Sequence, residues 1–522
     1  MNLGRFVARS AQYWPDRPAI LFADRRITFA ELDTRSSRLA NALLGLGLGL
    51  GLQKGDRVAI QSWNRPELIE LEVALYKSGL VKVALNARLS DDEVLETLRN
   101  AEPAVLISGP AHAERLHALA DAVPSVRRRV LFGGTDPRFV SYEQMLAQAS
   151  DVNPDVELAD VDLAVLHYTS GSTGKLKAAM QTMGNRMASL RKVLTGRMRV
   201  NPGDVLALAG PITHASGMFI QPFLSQGGTI LLHERFDPEA FLASVAMHRV
   251  THTFVVPTMI NMLLAVPDRA RFDLSTLRSM TYGSAPMAPA RIVEAWRAFG
   301  PILSQGYGAG ETTGGLVALT IDDHREAIEQ GNPERLASCG RPFSEARVCL
   351  VDDAGQQVPA GEIGEIVIAG PDVFAGYWRE PELTAAALRN GWLHTGDLAR
   401  ADDRGYLYIV DRKKDMIISG GFNVYPAEIE TVLYQHPAVF EACVVGVPDP
   451  VWGESVKAVV VLRDGVSAQA DDLIQHCAER LADFKKPRSV DVVAELPKNA
   501  NGKLSRKAVR EIFWKDQVRR VA

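Results

Sequence analysis

The chain has 522 residues, and 47% of them are hydrophobic, which is enough to bury the cores of two or more domains. Lysine and arginine total 58 against 62 for aspartate and glutamate, and no block of like charge is long enough to indicate a surface for nucleic acid or anionic lipid. Four scattered cysteines exclude a disulfide framework and a Cys-x-x-Cys metal site.

We expect a cytoplasmic protein without an integral membrane segment. Residues 1–16 lack the continuous apolar core of a signal peptide. The longest conspicuous apolar stretch, 43–52, has ten residues of nearly alternating Leu and Gly, whereas a membrane-spanning helix needs about 20 apolar residues. The low cysteine content agrees with a reducing compartment.

Short apolar runs alternate with longer amphipathic segments through the first 400 residues. This alternation predicts an α/β fold, with a large N-terminal domain at residues 1–411 built from layered α/β subdomains. The predicted strands are 58–61, 80–85, 104–107, 229–232 and 252–256, and the predicted helices are 66–78, 90–100, 238–248 and 257–264.

The composition changes near residue 348. Gly, Pro and β-branched residues at short spacing predict a small antiparallel or β-barrel-like portion at 348–377. The charged run 411–415 suggests a solvated linker. Beyond it, strand patterns at 442–447 and 456–462 and a helical pattern at 471–482 predict a smaller C-terminal α+β domain, residues 412–522, with the boundary near Lys414.

Residues 168–177 form a glycine- and hydroxyl-rich loop after an apolar run, which is typical of a phosphate-binding loop. Its glycines let backbone N–H groups approach phosphate oxygens, and its hydroxyls and lysines add donors and positive charge. The P-loop of nucleotide hydrolases is excluded, because it needs glycine where Thr169 stands and Ser or Thr where Leu176 stands. A flexible polar loop is the alternative.

Five later stretches carry candidate chemistry: Pro211-Ile-Thr-His214, Tyr307-Gly-Ala-Gly-Glu311, Trp392-Leu-His-Thr-Gly-Asp397, Asp411-Arg412 and Pro497-Lys-Asn-Ala-Asn-Gly-Lys503. Taken alone, each has a structural explanation. His214 could be a hydrogen-bonded core histidine and Asp397 a turn former, and the charges of Arg412 and Lys503 could simply be solvated.

Together and in this order, the stretches resemble the adenylate-forming superfamily of acyl-CoA synthetases, nonribosomal peptide adenylation domains and luciferases. The resemblance covers residues 28–506 and is most specific at 168–177, 396–397, 405–430 and 497–503. It implies an AMP-forming acid–thiol ligase. Such an enzyme uses ATP with Mg²⁺ to convert a carboxylate into an acyl-adenylate and pyrophosphate, and then uses coenzyme A to release an acyl-CoA and AMP.

The resemblance implies catalytic roles for Lys503, Thr169, Glu311 and His214. Glu311 and Thr169 would hold Mg²⁺, and Lys503 would bridge the substrate carboxylate and the α-phosphate. The implied ATP contacts are Thr169, Ser170, Gly171, Ser172, Thr173, Gly174, Lys177, Tyr307, Glu311, Asp397, Arg412 and Lys503.

Three of these ATP contacts have further implied roles. Tyr307 would lie against the adenine, and Asp397 with Arg412 would bind the ribose hydroxyls. For the thiol step, the resemblance implies a mobile C-terminal domain that turns about Lys414 and brings Gly420 and Gly421 against the pantetheine arm. A tight turn between two strands is an equally compatible explanation of that glycine pair.

Three positions depart from the family pattern. Gly310 stands where Thr is usual, which removes a hydroxyl expected near the α-phosphate. A water or a backbone N–H could substitute for it. Leu176 replaces a common Pro and Ala178 a common Gly, and these changes are mild.

The implied acyl pocket contains no Asp, Glu, Lys or Arg between residues 205 and 220, so an amino acid or a dicarboxylate would leave a buried charge unpaired. This favours an apolar fatty or aromatic acid. The implied pocket residues are His214, Gly283, Ser284, Ala285, Gly306 and Gly308.

Two other functions stay open: an adenylation enzyme that loads a carrier protein's phosphopantetheine, and a catalytically inactive nucleotide-binding protein. We expect a small carboxylate, ATP and coenzyme A as partners and no nucleic acid, and we leave a homodimer open.

Overall fold

The computed structural model describes residues 2–45, 51–154, 156–170, 176–196, 198–343, 345–498 and 504–514. None of the helices in these ranges is long and apolar enough to cross a lipid bilayer. The α-helices are Gly4–Tyr13 (α1), Phe29–Leu44 (α2), Pro66–Ser78 (α3), Asp91–Ala101 (α4), Ala113–Ala120 (α5), Tyr142–Ala147 (α6), Met183–Gly196 (α7), Ile220–Ser225 (α8), Pro238–Met247 (α9), Pro257–Leu264 (α10), Pro289–Phe299 (α11), Ile321–Glu329 (α12), Pro381–Ala387 (α13), Pro426–Leu433 (α14), Ala470–Ala478 (α15) and Arg506–Phe513 (α16).

The strands of the described residues form four sheets. In chain order they are Pro18–Phe22 (β1), Arg25–Thr28 (β2), Arg57–Gln61 (β3), Val81–Leu85 (β4), Val105–Ser108 (β5), Arg128–Leu131 (β6), Val140–Ser141 (β7), Leu163–Ser170 (β8), Leu176–Thr182 (β9), Val205–Leu208 (β10), Thr229–Leu232 (β11), His252–Val255 (β12), Ser279–Gly283 (β13), Leu303–Ala309 (β14), Gly314–Leu319 (β15), Arg341–Pro342 (β16), Arg347–Val351 (β17), Ile363–Ala369 (β18), Leu388–Arg389 (β19), Trp392–Ala401 (β20), Leu407–Arg412 (β21), Ile417–Ser419 (β22), Phe422–Val424 (β23), Val439–Asp449 (β24), Gly453–Leu462 (β25) and Ser489–Val492 (β26).

The chain divides into two compact units, and the division differs in detail from the predicted boundary. The larger unit comprises Met1–Arg347 and Ile368–Leu393, and the smaller one comprises Val348–Val367 and His394–Ala522. The assignment of residues 412–522 to a separate C-terminal domain, with a hinge at Lys414, stays a prediction.

The larger unit contains two mostly parallel sheets, which confirms the predicted α/β class. The first has seven strands in the order β7-β6-β5-β3-β4-β8-β9, and the second has nine in the order β16-β15-β14-β13-β12-β10-β11-β1-β2. The strands β3, β4 and β5 and the helices α3 and α4 occur where the alternating pattern predicts them. α4 begins after a reciprocal cap in which the Ser90 hydroxyl accepts from the Glu93 N–H and the Glu93 carboxylate accepts from the Ser90 N–H.

Several central strands of the two sheets are completely buried because helices cover the faces of the sheets. β11 and β12, for example, are buried along their whole length. The carboxyl ends of β13 and β14 bring Gly283 beside Gly306 in register. This edge of a parallel sheet is where open α/β folds bind their ligands.

The smaller unit contains a sheet in the order β23-β22-β25-β24, with β26 pairing β25. β24 and β25 form a long antiparallel hairpin, and β26 lies parallel to β25. α14 and α15 pack on this sheet through a core that includes Ile429, Leu433, Leu473 and Cys477. The remaining five-stranded sheet has the order β17-β18-β20-β19 with β21 on β20, and its strands cover the segment predicted as antiparallel or barrel-like.

Candidate active site

The predicted phosphate-binding loop connects β8 and β9, which pair antiparallel with Thr169 opposite Lys177 and Ser170 opposite Leu176. A P-loop instead leads from a strand into a helix, so the strand-to-strand connection agrees with its exclusion. The loop positions Gly171, Ser172, Thr173 and Gly174 lie outside the described residues, as does the side chain of Ser170. The backbone of both flanking strands is ordered by their pairing.

Lys177 and Glu311 meet at Tyr377, a residue that the motif analysis does not identify. The ammonium nitrogen of Lys177 lies 5.1 Å from the centre of the Tyr377 ring, which is a cation–π distance. The Tyr377 hydroxyl donates a hydrogen bond of 2.8 Å to Oε1 of Glu311. Burial raises the pKa of Tyr377, and the Glu311 carboxylate raises it further, so the hydroxyl keeps its proton. One aromatic ring therefore positions both a cation and a carboxylate.

The segments that carry Glu311 and Tyr377 are joined to each other directly. The backbone N–H of Phe374 donates to the carbonyl of Glu311 at 2.8 Å, and the Thr313 hydroxyl donates to the carbonyl of Asp372 at 2.8 Å. Phe374 also packs edge-on against Tyr377 with ring centres 4.8 Å apart. The carboxylate and the tyrosine are therefore held as one structural element.

Three side chains of α7, Asn185, Ser189 and Lys192, bind the two segments that carry Glu311 and Tyr377. Asn185 donates to the carbonyls of Pro371 and Val373, both at 2.8 Å, and Ser189 donates to that of Thr313 at 2.8 Å. The Lys192 ammonium donates to the Thr312 carbonyl at 3.0 Å and pairs with the Asp372 carboxylate at 2.6 Å. Lys192 and Asp372 are only 2% and 3% exposed at their side chains, so their charges neutralise each other out of water.

Gly310 is a glycine because its neighbours leave no room for a side chain. A Cβ added there would lie 2.5 Å from Cδ2 of His167 and 3.1 Å from Cγ2 of Thr169. The His167 ring is in edge-on contact with His214, with centres 5.5 Å apart. Burial lowers the pKa of His167 to about 3, and the neighbouring His214 adds to the effect, so the ring is neutral. The departure from the family pattern at Gly310 therefore has a steric cause.

His214 comes directly before the short 3₁₀ turn Ala215–Phe219. Its Nδ1 atom is 3.0 Å from the Thr213 hydroxyl, which orients the ring. The ring contact with His167 places His214 beside β8. The structure therefore brings Thr169, His214 and Gly310 together around His167, a residue that belongs to none of the predicted motifs.

The predicted acyl-pocket glycines lie where strands approach each other closely. A Cβ at Gly283 would lie 2.5 Å from the carbonyl oxygen of Gly306, and one at Gly308 would collide with the carbonyl of Gly314. Ser284 follows with a φ of 68°, an uncommon left-handed conformation for a side-chain-bearing residue. Tyr307 is half-buried on β14 between Gly306 and Gly308.

The predicted ribose-binding pair lies in the smaller unit. Asp397 on β20 and Arg412 on β21 are directly opposite in register, and Nε of Arg412 lies 3.1 Å from Oδ1 of Asp397. The turn before Asp397 needs a glycine, because Gly396 has a φ of 72°. The Arg412 side chain is 58% exposed and that of Asp397 only 16%, so the guanidinium lies at the surface of its unit with the carboxylate largely buried beside it.

The interpretation of residues 411–415 as a solvated charged linker is wrong for both aspartates. Asp411 and Asp415 have side chains only 2% and 12% exposed, and both pair with Arg506 of α16. Arg506 also makes a bidentate pair with Glu430 at 2.8 and 2.7 Å. Burial lowers the pKa of Lys414. Its role as a hinge stays a prediction.

Gly420 and Gly421 are the two central residues of the hairpin turn between β22 and β23, in which Ser419 pairs with Phe422. Their φ values of 57° and 84° belong to the left-handed region, as a two-residue hairpin requires. A Cβ at Gly420 would also strike the Trp452 ring, whereas nothing lies within 4 Å of one at Gly421. The turn explanation is therefore correct, and contact with pantetheine stays a prediction.

Lys503 lies outside the described residues, but the residues on either side of its segment are placed. Lys498 and Leu504 form an isolated antiparallel bridge, and the N–H of Ser505 donates to the carbonyl of Pro497 at 2.8 Å. Lys498 itself pairs with Glu441 at 2.8 Å. The described residues on the two sides of 499–503 therefore lie next to each other in the smaller unit.

Comparison with known proteins agrees with this arrangement. Residues 7–378 match the family described as AMP-binding enzyme, and residues 428–503 match the AMP-binding enzyme C-terminal domain. The chain is 41% identical to a feruloyl-CoA synthase of Amycolatopsis sp over 98% of this chain and 99% of that protein. It is 35% identical to the medium/long-chain-fatty-acid–CoA ligase FadD8 of Mycobacterium tuberculosis over 99% and 91%.

The fold is also shared with solved structures. The amide bond synthetase McbA from Marinactinospora thermotolerans superimposes with a TM-score of 0.88 at 32% identity, covering 98% of this chain and 100% of that one. A family match that spans well over half of the chain, together with full-length relatives above 30% identity, establishes the relationship. The chain therefore belongs to the AMP-binding enzyme family and, with it, to the adenylate-forming superfamily.

Proposed function

We propose that this enzyme is an AMP-forming ligase that joins an apolar carboxylic acid, fatty or aromatic, to coenzyme A through an acyl-adenylate. The arrangement of Lys177, Tyr377 and Glu311 carries the proposal, because it places a cation and a carboxylate at the base of a phosphate-binding hairpin in a member of this family. The similarity to a feruloyl-CoA synthase and to a fatty-acid–CoA ligase supports a carboxylate substrate and a thiol acceptor.

The first step brings two anions together, since a carboxylate must attack the α-phosphate of ATP. The site must therefore supply positive charge and hold the reactants in line. Lys177 binds the outer phosphates, and its contact with the Tyr377 ring limits where the ammonium can lie. The hydroxyl of Thr169, directly opposite Lys177, donates to the same phosphate chain.

Glu311 and Thr169 fit a magnesium site that is completed by the substrate. The described residues hold no cluster of three or more His, Cys, Asp or Glu side chains that could bind a metal by themselves. Magnesium in ATP enzymes is commonly held by one or two carboxylates together with phosphate oxygens, so Glu311 with the nucleotide suffices. A bound magnesium ion would neutralise phosphate charge. Tyr377 orients the Glu311 carboxylate for this contact by its hydrogen bond.

The remaining roles follow the chemistry of each side chain. Asp397 accepts hydrogen bonds from the ribose hydroxyls, and Arg412 orients that carboxylate through their ion pair. Tyr307 lies against the adenine. Lys503 neutralises charge that moves between the acid and the α-phosphate as the adenylate forms. His214 flanks the carboxylate that becomes the acyl group.

The thiol step requires coenzyme A to reach the acyl carbonyl after pyrophosphate leaves. We assign Lys414 to the hinge of this change. Of the two turn glycines, Gly421 is the one at which a side chain would meet open space, so it is the better candidate to face the pantetheine arm. Gly420 has a structural reason to be glycine, because a side chain there would strike the Trp452 ring.

The substrate class follows from the pocket walls. Residues 205–220 contain no Asp, Glu, Lys or Arg, and Met218 lies against the backbone of Gly314. An ammonium or a second carboxylate in this region would lose its hydration without gaining a partner. The walls therefore favour an uncharged acyl tail.

The function is tested by acid-dependent exchange of labelled pyrophosphate into ATP, measured across fatty, aromatic, dicarboxylic and amino acids with Mg²⁺. We expect exchange with a fatty or an aromatic acid, and formation of the thioester and AMP once coenzyme A is added. Absence of exchange with every acid would contradict the proposal. If the thioester forms only with a phosphopantetheinylated carrier protein and not with free coenzyme A, the acyl acceptor is a carrier protein.

Substitution Tyr377→Phe is expected to reduce kcat/KM for magnesium-ATP about tenfold or more, since a hydrogen bond to a charged group contributes about 1.5–3 kcal/mol. The ring under Lys177 is kept, so the loss reports on the orientation of Glu311. Steady-state pyrophosphate exchange at varied ATP concentration measures it.

The matched control is Tyr168→Phe, which also removes a buried tyrosine hydroxyl, here one that donates to Asn100 at 2.6 Å. That hydroxyl contacts neither Lys177 nor Glu311. Equal losses in the Tyr168 and Tyr377 variants would show that the effect is general destabilisation and not the orientation of Glu311.

A further inference from the structure

His167 lies next to Gly310, the position at which a threonine is usual in the family. The His167 ring occupies the volume next to Gly310, with its Nε2 atom 3.2 Å from where a Cβ at position 310 would stand. His167 and Thr169 are two residues apart on β8 and therefore project to the same face of the strand. The imidazole and the side chain of Thr169, a proposed phosphate contact, thus both lie against the residue that precedes the proposed magnesium ligand.

The His167 ring is half-buried and lies in edge-on contact with the ring of His214. The neighbouring carbonyl of Gly310 is already taken, because the side chain of Gln181 donates to it at 2.9 Å. Since the ring is only half-buried, its nitrogen atoms can be reached by a substrate oxygen or a water that satisfies their hydrogen bonding. An imidazole offers at least one N–H donor in either protonation state.

We propose that His167 is a catalytic hydrogen-bond donor of this enzyme, which replaces the hydroxyl missing at position 310 and binds an oxygen of the α-phosphate as the acyl-adenylate forms. This inference rests on the proposed function and deepens it by adding a residue to its first step. Donors aimed at an oxygen that gains charge in the transition state act most strongly in a site that excludes water. The same contact would favour catalysis over ATP binding, because the charge on that oxygen is redistributed during attack.

The first test compares His167→Leu, which keeps side-chain bulk without a donor, with His167→Gln, whose amide N–H can lie near the position of Nε2. We expect the leucine variant to lower kcat for pyrophosphate exchange on the order of 10²-fold with a smaller change in KM for ATP. The glutamine variant should recover at least a tenth of wild-type kcat. Equal activities in the two variants, or wild-type activity in His167→Leu, would overturn the inference.

The second test uses the steric relation itself. Gly310→Thr alone should lose activity because its Cβ would press on His167 and Thr169. The double variant His167→Ala/Gly310→Thr frees that space and returns a hydroxyl, so its kcat should exceed that of both single variants, Gly310→Thr and His167→Ala. A double variant no more active than the better of the two single variants would contradict the proposed replacement.

Two controls separate the possible failures. Thioester formation from supplied acyl-adenylate should be retained in His167→Leu, and its loss together with adenylation would indicate a structural role for the histidine and overturn the catalytic one. If the wild-type protein exchanges pyrophosphate with no acid, the proposed function itself fails. If the wild type is active and His167→Leu is equally active, the proposed function stands and this inference alone is wrong.

Discussion

Replacement of Lys503 by alanine is expected to slow acyl-adenylate formation on the order of 10²–10³-fold, a size typical of removing one well-placed group that stabilises transition-state charge. The carboxylate and the α-phosphate are both anionic, and the proposed role of Lys503 is to place a cation between them. The reaction of coenzyme A with supplied acyl-adenylate should remain within about threefold of wild type, since that step no longer joins two anions. Pyrophosphate exchange and single-turnover thioester formation measure the two steps separately.

Lys498→Ala provides the matched control for Lys503→Ala. Both lysines belong to one short segment, but Lys498 pairs with Glu441 at 2.8 Å and its side chain is 42% exposed. Because the lysine end of the pair is exposed to solvent, its removal should cost only about 1 kcal/mol of stability, so adenylate formation should stay close to wild type. Similar losses in both half-reactions for Lys503→Ala would refute the assigned role.

Substitution Lys192→Met is expected to lower the free energy of unfolding by about 3–5 kcal/mol, because it leaves the carboxylate of Asp372 buried without its counter-charge. The ammonium also holds the Thr312 carbonyl, next to Glu311, so activity should fall even in the fraction that remains folded. The change is measured as a shift of the urea midpoint, with pyrophosphate exchange assayed below the transition.

Two companions make the Lys192 experiment specific. The double variant Lys192→Met/Asp372→Leu removes both charges and should recover a large part of the lost stability, since an apolar replacement of a buried pair is often neutral. Arg191→Met changes the neighbouring residue of α7, whose partner Glu345 is 3.7 Å away in a pair that is 49% and 65% exposed. It should cost at most about 1 kcal/mol. Equal destabilisation by Lys192→Met and Arg191→Met would show that the buried pair contributes no more than a surface one.

Much of the fold is readable from the sequence because its signals are local. The run 58–61, the helix that begins after Ser90 and the strand 105–108 each carry their own pattern of apolar spacing and capping within a few residues. The glycine-rich loop and the pair Asp397 and Arg412 are likewise short motifs. Their positions on a hairpin and on paired strands agree with what their residue types require.

The parts that could not be predicted depend on partners far away in the chain. Tyr377 reads as an ordinary core aromatic until its hydroxyl is seen to reach Glu311, 66 positions earlier. Asp411 reads as a surface charge because its partner Arg506 is 95 positions later. His167 belongs to no recognisable motif in the sequence, and only its close approach to position 310 in the structure identifies it. A single sequence contains these residues but not their pairing.

The close approach of the strands around the acyl pocket also bears on how such an enzyme could be given a new substrate. A methyl group added at Gly283 or Gly308 would meet a backbone carbonyl, which cannot move aside without breaking a sheet. Met218, by contrast, reaches the backbone of Gly314 with the end of a flexible side chain. Laboratory evolution towards bulkier or smaller acids should therefore accumulate its changes at position 218 and leave the glycines untouched.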